Sequence, residues 1–206
     1  MLALTGCGNA IEWNQKLTLV VGTPQGDVSG SGVTRIRHTF SEDKWIYAPG
    51  QAGNAKQSGE AAFVEVAPGK YLFALIGGEN LHVATQVFLP VDRRQPPKAA
   101  AEAVAASRWK ARLSKAFYPT LVTFRDINDP QSIQIVEPED ISAAFGVGYT
   151  LKSITLEITD EPVEHGRIGK VLKFLAWPNP MFIDWRDYPS GHPLRSVNKR
   201  SFSITR

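Results

Sequence analysis

The sequence predicts an α+β fold, a mainly antiparallel β N-terminal portion followed by a mixed α+β C-terminal portion. Three observations carry this expectation. Two runs, 17–21 and 33–40, alternate side chains with the period of a half-buried strand. The turn chemistry Thr23-Pro24-Gln25-Gly26-Asp27 stands between them. Beyond residue 91 the composition shifts to a charged stretch with paired prolines, then to an alanine-rich segment of helical propensity.

From the amino end, Leu17, Leu19 and Val21 share one face of the first strand, against Thr18 and Val20. In the second run Thr34, Ile36, His38 and Phe40 oppose Val33, Arg35, Arg37 and Thr39. The two runs predict an antiparallel hairpin, with Ser29-Gly30-Ser31-Gly32 leading into the second strand. Residues 41–59 read as a polar loop containing Pro49-Gly50. Strands are expected at 62–66 and 71–76, joined by the tight turn Ala67-Pro68-Gly69-Lys70. The stretch 79–89 fits either a strand or a short helix.

Residues 91–98 carry charge and the pair Pro96-Pro97, as a domain linker or a long crossing loop would. Residues 98–117 read as one surface helix. Its apolar side is thin (Val104, Leu113 and Phe117, with Trp109 nearby), and its basic residues gather toward the C-terminal end of the dipole. Pro119 stops it. Strands follow at 121–124 and 132–136 around a turn at 126–130. A short helix is expected over 137–146, opened by proline and acids and closed by Gly146. A strand at 152–158 places Ile154, Leu156 and Ile158 on one face. Ile168, Val171, Leu172 and Leu175 recur at helical spacing, and 201–205 suits an edge strand. The resulting division is 1–6 residual signal segment, 7–11 tether, 12–90 β-rich portion, 91–98 linker and 99–206 α+β portion.

Composition excludes whole classes. An apolar fraction of 43% with 21% charged residues belongs to a folded chain. No stretch approaches the roughly 18 apolar residues of a membrane-spanning helix. A single cysteine rules out an internal disulfide framework or a multi-cysteine zinc site. Catalytic motifs are missing too. There is no G-x-S-x-G elbow and no H-E-x-x-H; Gly169-Lys170 is followed by Val171, which has no hydroxyl for magnesium. Gly146-Val147-Gly148 lacks the third glycine of a dinucleotide loop, since Leu151 stands there. No cofactor and no metal are expected.

The one cysteine has a specific setting. Leu4-Thr5-Gly6-Cys7 resembles the lipobox of bacterial lipoproteins, matching a leucine three residues before the cysteine and small residues between. The resemblance implies that the Cys7 thiol carries a diacylglyceryl group and becomes the mature amino terminus. Two or three acyl chains give lasting attachment where one gives marginal binding. Six residues precede Cys7, fewer than the basic start and apolar segment of about 7 to 15 residues in a complete signal, so this reading implies a start further upstream. The other reading is an accidental motif in a soluble cytosolic domain. The stretch 118–163 resembles a unit of uncharacterised bacterial proteins, which implies no activity.

Four constellations carry chemistry. Asp160, Glu161, Glu164 and His165 could ligate a metal, but acids also favour the start of the helix that follows. Asp184, Asp187 and His192 are the candidate catalytic residues of a hydrolase or carbohydrate-active enzyme. The alternative there is a loop tied by an Arg186 ion pair and anchored by Trp185. Arg186, Arg195, Lys199, Arg200 and Arg206 make the C-terminus basic, as a solvated face or a contact for an anionic surface. His38 is expected to be a hydrogen-bonded core or edge histidine, and His82 has no context. Most of the five tryptophans are expected to anchor the core or an interface.

The sequence therefore leads to a lipid-anchored cell-envelope protein with a non-enzymatic binding or scaffolding role. The expected partners are the membrane through the anchor and another envelope protein or an anionic polymer, not nucleic acid. Gly8 after the cysteine leans toward the outer membrane, because the aspartate of inner-membrane retention is missing. An envelope enzyme built on Asp184, Asp187 and His192 is the rival.

Overall fold

The computed structural model describes residues 10–40, 53–89 and 97–205. Among these residues ten strands form two antiparallel sheets, with four short α-helices, giving an α+β fold. The lipobox, most of the expected 41–59 loop with Trp45, residues 91–96 of the expected linker and Arg206 lie outside the described residues.

The first hairpin forms as the alternation predicts. Strand β1 (Ala10–Thr23) pairs along its whole length with β2 (Gly26–Phe40) around the turn residues Pro24 and Gln25. The Ser29–Gly32 segment lies within β2 rather than ahead of it. On the inner face Leu19, Val21, Ile36 and Phe40 are buried, while Arg35, Arg37 and Thr39 stand outside. Strand β3 (Gly53–Glu60) pairs with the far side of β2, so the expected polar loop gives way to a strand at 53–59. Its polar residues hid it: pairing with β2, not an apolar alternation, holds it extended.

Strands β4 (Ala62–Ala67) and β5 (Lys70–Ala74) form the second predicted hairpin. A 3₁₀ turn (Gly78–His82) and helix α1 (Val83–Phe88) follow, which settles the 79–89 stretch as helical.

The long helix expected over 98–117 is a correction. Helix α2 covers only Pro97–Ala105, and Lys110–Arg112 is strand β6. Ser107 ends the helix, its amide and hydroxyl both donating to the Val104 carbonyl. The chain then adds to the edge of β9 (Thr150–Thr159), where Lys110 faces Glu157 with Nζ 2.9 Å from its carboxylate. Ladder bonds to a waiting edge outweigh the helical propensity of alanine, lysine and arginine, which is a few tenths of a kcal/mol per residue.

Strands β7 (Leu121–Phe124) and β8 (Ile133–Ile135) complete the second sheet. The helix expected over 137–146 shrinks to α3 (Ser142–Phe145), closed by Gly146 at φ 106°. The helical spacing at 168–175 becomes α4 (Ile168–Val171) and a 3₁₀ turn (Lys173–Ala176). Strand β10 (Ser203–Ile204) occupies the predicted edge position, beside β3.

The sheet orders are β10-β3-β2-β1-β9-β6 and β4-β5-β7-β8. Each sheet thus draws strands from both sides of the 91–98 segment. The four-stranded sheet is apolar on both faces, so it needs cover on both. One face (Val64, Leu72, Ala74, Leu121) packs on the inner side of the six-stranded sheet, helped by Ala101 and Val104 of α2. The other (Phe73, Val122, Phe124, Ile133) is covered by the C-terminal segment through Phe174, Phe182, Leu194 and Phe202. The tail from Trp185 onward therefore supplies more core than its sequence suggests: Leu194, Val197 and Phe202 are buried. No helix among the described residues is long and apolar enough to cross a membrane.

A buried carboxylate fastens the layers. Glu60, at the end of β3, accepts from the Gly166 amide at 2.6 Å, from Arg167 at 3.0 Å and from Ile168 at 3.1 Å. The Arg167 and Ile168 amides stand at the N-terminus of α4, where no intrahelical carbonyl can satisfy them, and Gly166 directly precedes it. Charge-assisted bonds of this kind each contribute about 1.5–3 kcal/mol. Glu60→Ala is expected to cost about 3 kcal/mol or more in urea unfolding, and Glu60→Gln less. A loss under about 1 kcal/mol would show that solvent replaces the carboxylate.

Candidate functional site

Asp184, Asp187 and His192 stand at two 3₁₀ turns of the C-terminal segment. Asp184 caps a 3₁₀ turn (Trp185–Asp187): its Oδ1 accepts from the Arg186 amide at 3.0 Å and from Arg186 Nε at 3.2 Å. That is the expected Arg186 pair; the Trp185 side chain lies outside what is described. Asp187 is exposed in the same turn. His192 Nδ1 accepts from the Leu194 amide at 3.3 Å, and its ring lies 4.6 Å from that of Tyr188. His192 lines a shallow hollow with Ser190, Pro193 and Arg195; among the described lining residues neither aspartate contributes.

The acidic quartet is dispersed among basic partners. Asp160 pairs with Arg108, Glu161 with Lys16 at 2.7 Å, and Glu164 with Arg167 at 3.2 Å, while His165 is exposed. Among the described residues no group of three or more metal-ligating side chains is assembled. Of the tryptophans only Trp13 is buried among those described; Trp109 packs on Phe88 and Trp177 on Phe174, both partly exposed. In the basic tail Arg195 reaches the Tyr188 carbonyl and Ser190, and Lys199 donates to the Trp177 carbonyl at 3.3 Å. Arg200 instead faces a cleft.

That cleft has a volume of about 1520 Å³. Its construction follows from the strand register. Arg35 and Arg37 are neighbours on the outer face of β2, since alternate residues point the same way. Lys56 lies directly across from Arg37 on β3, and Ser58 across from Arg35. On the other side Glu12 and Asn14 of β1 face the same two arginines. Glu12 pairs with Arg37 at 3.2 Å, and Asn14 Oδ1 accepts from Arg35 Nε at 3.2 Å. Arg200 enters from the C-terminal segment. Among the described residues four cations thus meet one carboxylate around a single concavity, an arrangement that concentrates positive potential.

The apolar side chains of Leu75, Ile76 and Leu81 and the ring of Tyr118 also line the cleft. Gln57 fixes this part of the lining to β3. Its Oε1 accepts from the Gly77 amide at 2.8 Å, and its Nε2 donates to Thr34 Oγ1 at 3.2 Å. Gly77 and Gly78 carry φ of 93° and 61°, a bend that side chains disfavour. In the sequence Arg35 and Arg37 share one face of an alternating run, and Lys56 falls within the expected 41–59 loop. Arginine at every second position of a strand was the available signal.

His38 lies beneath this region on the inner face of β2. It is stacked between Trp13 at 5.2 Å and Phe40 at 5.9 Å, with the ring of His82 edge-on at 5.3 Å. The expected core histidine is thus present, and His82 gains the context its sequence lacked. The His38 Nε2 is buried without a hydrogen-bond partner among the described residues. Burial holds the His38 pKa below its ordinary 6.5; the neighbouring His82 adds to this, and a hydrogen bond with the Leu81 backbone opposes it. The unfolded chain therefore takes up a proton that the folded chain refuses. Stability is complete above about pH 6.5 and falls as the pH drops toward the lowered folded value. Melting temperature is expected to decline between about pH 7 and pH 5.5, and His38→Phe to flatten that slope. An identical slope in the variant would assign the effect to other groups.

No protein-family model, curated protein or solved structure matches this chain.

Proposed function

We propose that the protein is a lipid-anchored component of a bacterial cell envelope whose folded body binds an anionic partner, a polymer or another envelope protein, without a reaction of its own. The observation that carries the binding role is the cleft in which, among the described residues, Arg35, Arg37, Lys56 and Arg200 meet one carboxylate, Glu12. The sequence Leu4-Thr5-Gly6-Cys7 supports the anchor. A cysteine three residues before Ala10 is tied to that end of β1 by at most about 11 Å of chain. Glu12 and Arg37 belong to the same end of the sheet, so an anchor there would hold the cleft close to the membrane.

Two measurements test this. Full-length protein titrated with inorganic polyphosphate and with polyglutamate is expected to bind both, more weakly as salt rises. The triple variant Arg37→Glu, Lys56→Glu, Arg200→Glu is expected to lose about tenfold or more, since each exposed cation contributes up to about 1 kcal/mol. Unchanged affinity in the variant removes the cleft from the account. For the anchor, the intact mass of native protein extracted from membranes is expected to show an acylated Cys7 at the amino terminus. An unmodified chain retaining residues 1–6 removes the anchor.

A further inference from the structure

Strand β3 is paired on one side with β2 over Gly53–Gly59, but on the other it meets β10 only at Gly59 and Glu60. Among the described residues, 53–58 therefore form an edge, and residues of that edge line the cleft. The ladder shows which groups it presents. Ala61 donates to the Phe202 carbonyl at 2.8 Å on the β10 side. In an antiparallel ladder such bonds recur at every second residue. The amides and carbonyls of Ala55 and Gln57 thus point away from β2 and into the cleft. Among the described residues neither makes a backbone bond on that side. An edge six residues long is about 20 Å, the length of an ordinary strand.

The two faces beside this edge differ in chemistry. On the outer face Lys56 lies across from Arg37, with Arg35 adjacent and Arg200 nearby. On the inner face stand Ile76, Leu81 and Tyr118, all partly buried. A chain lying along the edge would send alternate side chains to these two environments.

We propose that the open edge of β3 is a docking strand for an extended acidic segment of a protein partner. The segment adds to the six-stranded sheet in line with β10, antiparallel to β3. Its backbone pairs with Ala55 and Gln57; its acidic side chains meet Lys56, Arg37 and Arg200; its apolar side chains cover Ile76, Leu81 and Tyr118. Strand addition of this kind takes affinity from main-chain bonds and specificity from alternate side chains. The positive charge gathered at this edge selects an acidic segment over a neutral or basic one. The proposal rests on the reading of the cleft as a binding site for anionic partners, and narrows it to one kind of occupant.

The test uses full-length protein and a displayed library of random twelve-residue peptides. Selected peptides are expected to carry acids at alternate positions with apolar residues between. On binding they are expected to slow hydrogen exchange at the Ala55 and Gln57 amides by about tenfold or more. Lys56→Glu with Arg200→Glu is expected to weaken the selected peptide by about tenfold, since both side chains are exposed and the fold does not need them. Methylating every second peptide nitrogen is expected to abolish binding with no change to the protein. Selection of no acidic alternating sequence, or binding that leaves exchange at Ala55 and Gln57 unchanged, overturns the proposal. So does protection of those amides by a second copy of the chain without peptide. If polyphosphate still binds through the same cations while no peptide protects the edge, the docking strand falls and the anion-binding cleft stands; if neither binds, both fall.

Discussion

Alanine at position 30 is expected to remove most of the stability of this protein. Gly30 lies where β2 crosses β4. A Cβ built there would sit 1.9 Å from the Phe63 carbonyl oxygen, 2.7 Å from its carbon and 2.8 Å from the Val64 Cα. All three are backbone atoms of a strand held on its other side by β5, so no side chain can swing aside. Gly32 is similarly confined, 2.8 Å from the Ala62 amide nitrogen. The two glycines let the sheets approach until their backbones touch. Relieving the clash means separating the sheets around Leu19, Val64 and Leu72, all buried. Overpacking against side chains costs typically 1–3 kcal/mol, and backbone-to-backbone contact leaves less room to relax, so the expected loss is about 3 kcal/mol or more. For a chain of this length that lowers the melting temperature by about 10 °C. Ser29→Ala, exposed in the same strand, is expected to be nearly neutral. A Gly30→Ala protein that melts within about 2 °C of the parent would show that the close approach is not needed.

Phe202→Ala is the second large effect. Phe202 is fully buried, with its ring 5.3 Å from Phe182, 5.8 Å from Phe124 and 5.9 Å from Phe73. It joins the C-terminal segment to the outer face of the four-stranded sheet. Truncating a phenylalanine in such a setting costs about 3–5 kcal/mol, part of it for the cavity left behind. Its carbonyl also accepts from Ala61 beside β10, so the loss is expected to reach the cleft. Polyphosphate affinity should fall together with stability, because Arg200 lies two residues away on the loosened segment. Phe202→Leu should recover most of both. A stability loss under about 1 kcal/mol would mean that the aromatic cluster closes around the gap.

The elements legible in the sequence are those whose cause is local. Leu19, Val21, Ile36 and Phe40 alternate because one face of β1 and β2 is buried, and that period survives without any neighbour. The hairpin of β4 and β5 is written in Pro68-Gly69. The elements that were not legible depend on distant partners. Nothing in Asn54 to Gly59 marks a strand until β2 is beside it. Lys110 to Arg112 favours a helix until the edge of β9 offers ladder bonds. The candidate site failed to show for the same reason: its cations come from two strands and the C-terminal tail, brought together only by the sheet register. The chain showed only that Arg35 and Arg37 share a face. Asp184 and His192, close in sequence, each accept from a backbone amide two residues on, and Asp187 is exposed in the turn that Asp184 caps.

The most direct test of the binding role is a nuclear magnetic resonance titration of full-length protein with inorganic polyphosphate. Shift changes are expected to gather at Arg35, Arg37, Lys56, Gly77 and Arg200. Changes gathered instead around Lys110 and Arg112 on the far edge of the sheet, or no changes at all, would contradict that role.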